Sequence, residues 1–137
     1  MKIRSLPANL TLMLYLLTAA AACSANEVAT KTLEEKVSES DLVVSGVVGE
    51  ILPCGTIDVG ECSKYSVTAK VLVHDILKGT APKEILFRCK ESIPEFSPRA
   101  CNPGVKYLMF LQQDGKGVFH SVNGPRGIYS LTEVNEK

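Results

Sequence analysis

The apolar positions of this chain fall into three regimes. Near the start, Leu10 to Ala22 is apolar apart from Thr11, Tyr15 and Thr18. A single i, i+4 pair follows, Leu33 and Val37, and from Leu42 onward short stretches rich in Val, Ile and Leu alternate with Gly, Pro and Asn. The middle regime predicts a short helix. Thr32-Leu33-Glu34-Glu35 has the form of a capping box, with the Thr32 hydroxyl accepting from the Glu35 amide and the Glu35 carboxylate reaching back. Ser38 to Asp41 supplies the exit. At about two to three turns the helix would not persist alone in water, so its Leu33–Val37 stripe is expected to pack on the domain.

The third regime predicts strands. Leu42–Ile51 is one, with Gly46 and Gly49 placed where a bulge or strong bend is tolerated. Tyr65–Ile76 is the cleanest, because Tyr65, Val67, Ala69, Val71 and Val73 alternate with Ser66, Thr68, Lys70, Leu72 and His74, giving one dry and one mostly wet face. After the turn Lys78-Gly79-Thr80-Ala81-Pro82 come Glu84–Lys90 and then Lys106–Gln112, the latter opened by Asn102-Pro103-Gly104. Asp114-Gly115-Lys116-Gly117 joins that strand to a hairpin partner, Val118–Val122. A further turn over 123–127 leads to a last strand, Ile128–Val134. Five or six short strands with one short helix and no βαβ alternation predict an all-β domain, a small Greek-key barrel or sandwich, and not a doubly wound nucleotide-binding sheet.

The first regime has a different purpose. Lys2 and Arg4 precede an apolar run of about 13 residues, shorter than the roughly 20 needed to span a bilayer, which is the layout of an export signal. Ala20-Ala21-Ala22-Cys23 resembles the lipobox of bacterial lipoproteins, in which a Cys after small residues is lipidated and becomes the acylated N-terminus. The resemblance implies residues 1–22 as signal peptide, 23–31 as a linker after a lipid anchor on Cys23, and 32–137 as the barrel domain. Ser24 in the next position implies sorting to the outer membrane, facing the periplasm or the cell surface. The alternative is ordinary cleavage and secretion.

Export changes the reading of the cysteines. Of Cys23, Cys54, Cys62, Cys89 and Cys101, lipid would take the first and leave four that pair in an oxidising compartment. Three connectivities exist. The local pairs 54–62 and 89–101 need the least chain rearrangement, since each flanks a loop between strands. Structural zinc sites favour closer Cys pairs, so no metal is expected.

The 137 residues suit one core, and with Lys2 and Arg4 removed 13 basic residues face 15 acidic ones, which leaves no basic footprint for nucleic acid. Catalytic signatures are missing too: there is no Walker loop, G-x-G-x-x-G, H-E-x-x-H or G-x-S-x-G. His74 neighbours Asp75 and His120 neighbours Ser121, but adjacent strand residues point to opposite faces. Arg126 in Gly124-Pro125-Arg126-Gly127 is an anion-clamp candidate, weighed against an ordinary solvated turn. The aromatics Tyr107, Phe110 and Phe119 are read as core rather than as a stacking platform for single strands.

The segments 40–48, 65–71, Ile76-Leu77-Lys78-Gly79 and 103–110 resemble, in order, the netrin-like module that includes the N-terminal domain of tissue inhibitors of metalloproteinases. The resemblance spans roughly residues 38 to 112 and implies an OB-type five-stranded Greek-key barrel. In those inhibitors a mature Cys-x-Cys start chelates the protease zinc through its free amine and carbonyl. This chain offers Cys23-Ser24-Ala25, without the second Cys, and an acylated Cys23 has no free amine.

The expected function is therefore that of a non-catalytic exported lipoprotein, without cofactor, whose barrel binds a protein or glycan of the cell envelope. The contacts expected are Asp58 and Glu61 in one loop and Phe96 and Arg99 in the other. Phe96 either anchors the partner or folds back over the barrel end. A secreted metalloprotease inhibitor is the alternative, and a hydrolase with an unrecognised site is the third reading.

Overall fold

A computed structural model describes residues 28–53 and 66–131. In chain order these form α1 (Leu33–Glu39), β1 (Leu42–Ile51), β2 (Val67–Lys78), β3 (Glu84–Lys90), β4 (Lys106–Gln113), β5 (Val118–Ser121), a 3-10 turn (Gly124–Gly127) and β6 (Ile128–Ser130). The strands bond in the order β1-β2-β3-β5-β4-β6, and β1 also pairs with β4, so five of them close into a ring. Every pairing is antiparallel except β3 with β5. This is the barrel-like OB-type Greek key, all-β with one short helix, that the pattern and the resemblance predict.

The ring closes around one core. Alternation places Val44 and Val48 of β1, Ala69 and Val71 of β2, Ile85, Phe87 and Cys89 of β3, and Tyr107, Met109 and Leu111 of β4 on the inner face. Gly46 occupies an inner position where a Cβ would lie 2.8 Å from both the Leu72 carbonyl oxygen and Val71 Cγ1. Register shifts flank it, so β1 bends there and serves two neighbours at once, as its glycine anticipates. The 3-10 turn interrupts one bent edge along β4: β5 pairs with Leu111–Gln113 and β6 with Tyr107–Met109. Between them the Val122 amide donates to the Phe110 carbonyl at 2.9 Å.

Three expectations need correction. The Leu33–Val37 stripe is not buried, at 60% and 38% exposure, whereas Lys36 is only 6% exposed. The helix docks through the Lys36 stem, whose ammonium donates to the Tyr129 hydroxyl at 2.6 Å and lies 5.2 Å from that ring's centre. Its C-terminal carbonyls are capped from outside, with Lys78 Nζ donating to Val37 O and Ser40 O at 2.6 Å each. Second, Thr68 on the expected wet face of β2 is buried where it pairs with buried Arg88. Third, the last strand stops at Ser130, and Leu131 continues only one bond, to the Lys106 carbonyl. The capping box forms as the sequence predicts.

Candidate functional site

The segment between β3 and β4 is an exposed loop with fixed ends. Its ends are joined by the Cys89–Cys101 disulfide, with Cα atoms 5.0 Å apart, which is one of the two expected pairs. Cys89 belongs to the inner face of β3, so the bridge ties the loop to the core itself. Cys54 and Cys62, together with Cys23, Asp58 and Glu61, lie outside the described residues. Within the loop the Glu91 amide donates to Ser97 Oγ at 3.2 Å, and the Ala100 amide donates to the Cys89 carbonyl at 3.0 Å. Ser97 and Ala100 are buried, and the residues between them and β3 are held outward.

Phe96 is 51% exposed, so it does not fold over the barrel end. Its backbone rests on the 3-10 turn. A Cβ at Gly124 would lie 3.0 Å from the Glu95 carbonyl oxygen and 3.1 Å from Phe96 Cα, and the φ of that glycine is +53°, so only glycine lets the turn support the loop. Arg99 is the one non-glycine among the described residues with positive φ, at 54°. Beneath the loop opens a cleft of about 410 Å³ lined by Lys90, Glu91, Pro94, Ser97, Arg99 and Asn102, among others.

A charged clamp stands at the edge of this cleft. His120 of β5 has Nδ1 2.7 Å from Glu91 Oε1 and Nε2 3.0 Å from Asp114 Oδ2. The hydrogen bond to Glu91 holds the imidazole pKa above its ordinary value; partial burial opposes this and the Asp114 bond adds to it. Burial pushes the Asp114 carboxyl upward, but the bond from His120 and the amides of Val118 and Lys116 outweigh it and leave the group below its ordinary value. An imidazolium between two carboxylates satisfies both with its two N–H groups, and offers no lone pair to a substrate. The arrangement ties the loop base to the β4–β5 turn. Sequence reasoning weighed His120 only against its neighbour Ser121; its partners meet because β5 lies between β3 and β4, an order invisible before the topology is known. His74 is exposed on β2, and Tyr107, Phe110 and Phe119 are all buried.

Arg126 is exposed, and its guanidinium is engaged within the chain. Its Nη1 donates to the Val28 carbonyl and to Thr30 Oγ1, each at 2.6 Å. Asn123, buried, is oriented by its network so that its amide nitrogen donates to the Ala29 carbonyl at 3.2 Å and its oxygen accepts from the Lys31 amide at 3.1 Å. Residues 28–31, expected as linker, are thus strapped to the same turn that supports Phe96. Among the described residues there is no cluster of three or more His, Cys, Asp or Glu arranged for a metal, and no helix long and apolar enough to cross a membrane. Compared with protein-family models, curated proteins and solved structures, the chain matches none of them.

Proposed function

We propose that this protein is a non-catalytic binding module of the cell envelope, exported and tethered through a lipid on Cys23, which presents the disulfide-bounded loop to a protein or glycan partner. A relationship to the netrin-like module belongs to the same proposal. The observation that supports the reading is the posture of Phe96: a large apolar side chain half in water, on a loop fixed by the disulfide, by the buried Ser97 and by the 3-10 turn. Holding such a residue out of the core loses about 1.5–3 kcal/mol of burial, and a preorganised aromatic recovers that on binding. The test is capture from envelope extract. Phe96→Ala with Arg99→Ala should leave the melting temperature within a few degrees and abolish capture of whatever the wild type retains. Undiminished capture, or wholesale unfolding, would sink the reading.

The runner-up, inhibition of a metalloprotease, draws support from the strap, since residues 28–31 bring the N-terminal side of the chain to the turn under Phe96. It requires an unblocked Cys23 amine. Mass spectrometry of the mature N-terminus separates the two: an acylated, diacylglyceryl-bearing Cys23 supports the tether, and a free amine supports inhibition.

A further inference from the structure

We infer that the cleft under the disulfide-bounded loop takes an acidic peptide segment of a partner protein, with Arg99 and Lys90 holding its carboxylates and Phe96 covering an apolar side chain beside them. The inference rests on the binding-module reading and names the chemistry of its ligand.

The charge arrangement in the cleft carries the argument. Its charged lining residues are Lys90, Glu91 and Arg99. Glu91 is engaged, its Oε1 bonded to His120. The side chains of Lys90 and Arg99 have no hydrogen-bond or ion-pair partner among the described residues. Elsewhere on the described surface Lys31 reaches Glu39, Lys70 reaches Glu50, Lys78 caps the end of α1 and Arg126 holds the strap, while Lys83 and Lys116 stand singly without a side-chain partner; Lys90 and Arg99 are the two unpaired cations that share one cleft. The cleft therefore combines two unpaired positive side chains with one neutralised acid. Arg99 is also held in the left-handed region, which a non-glycine residue adopts at a cost, and from there it forms part of the cleft's lining. Such a planar fork suits a carboxylate bidentately.

The remaining walls are mostly apolar, with Pro94 and Cys101 beside Ser92, Ser97 and Asn102. An acidic peptide sets carboxylates beside apolar side chains, which suits two cations in a mostly apolar cleft with the half-exposed Phe96 in the same loop; an acidic sugar polymer is the competing ligand that the probes test.

The probes are labelled poly(Glu,Tyr), polygalacturonate and poly-Lys, titrated against the purified full chain by fluorescence anisotropy. Poly(Glu,Tyr) should bind, more weakly as salt rises, and better than either of the others. Arg99→Gly relieves the positive φ and so should fold at least as well as wild type, yet bind poly(Glu,Tyr) about tenfold or more weakly. Lys90→Glu with Arg99→Glu should abolish binding. Equal binding by Arg99→Gly, or tighter binding of polygalacturonate or poly-Lys by the wild type, overturns the inference. If no acidic polymer binds while Phe96-dependent capture from extract persists, the acidic assignment falls and the binding-module reading stands. If that capture is also missing, both fall.

Discussion

Nδ1 of His120 stands 2.7 Å from a carboxylate oxygen of Glu91, joining β5 to the first residue beyond β3, where the displayed loop begins. The opposite nitrogen reaches Asp114 in the β4–β5 turn. The clamp makes stability depend on pH in two directions. The pKa of His120 is raised in the fold, so its contribution is complete below the ordinary value of 6.5 and is lost as pH rises through the raised one. The pKa of Asp114 is lowered, so its contribution is present above 3.8 and is lost as pH falls through the lowered value. Stability should plateau between about pH 4 and 6.5. With His120 a third exposed, the alkaline decline should be about 1 kcal/mol, below the 1.5–3 of a buried charged bond. Urea midpoints taken from pH 4 to 9 should show it, and His120→Gln should flatten the alkaline limb. A His120→Gln profile parallel to wild type would remove the clamp from the account.

The disulfide secures the same loop from the core side. Cys89→Ala with Cys101→Ala should lower stability by about 2–3 kcal/mol, chiefly by freeing the unfolded chain. It should also weaken partner capture beyond what that loss explains, because the loop then loses its fixed ends. Peptide mapping without reduction should recover the 89–101 linked pair; a crossed pair would contradict it.

At the N-terminal strap the decisive side chain is Asn123. Asn123→Ala leaves the Ala29 carbonyl and the Lys31 amide without their partner, and should cost about 1–3 kcal/mol. Arg126→Ala, at an exposed bond, should cost under about 1 kcal/mol. Both should release the strap, so trypsin should cut after Lys31 faster in each variant than in wild type. Unchanged cleavage would show that neither residue fastens it.

For the anchor, Cys23→Ser should shift the protein from the membrane to the soluble fraction. A variant that fractionates with membranes as wild type does would refute lipidation.

What could be read from the sequence was what depends on neighbours in sequence. The bounds of β1 and β3, the capping box at Thr32, the bend at Gly46 and the 89–101 bridge all follow from local period, turn chemistry or export, and the structure carries each of them. What failed was which face of an element meets which partner. Leu33 and Val37 satisfied the helical rule, yet the side chain that docks α1 is Lys36, because Tyr129 of β6 arrives opposite it from 93 residues away. Glu91, Asp114 and His120 are each ordinary in sequence and meet only because β5 lies between β3 and β4. Phe96 had two readings in the sequence, and the backbone contact with Gly124 shows only that its side chain is held half-exposed rather than folded over the barrel end.

The ring of strands is narrowest on both sides of β5, which registers two pairs with β3 and three with β4. The parallel pairing of β3 with β5 registers only Leu86 with Val118 and Phe87 with Phe119, while β1 meets β4 over six residues. A closed ring hides every backbone edge, and an opened one exposes two, each a template for another chain. The edges of β5 are the places where the fewest bonds hold the ring, and the His120–Glu91 bond adds a tie from β5 to the residue after β3. Stripping the proton from His120 takes away one of the ring's two N–H donors, so this tie weakens on the alkaline side while the disulfide still holds the ends of the loop.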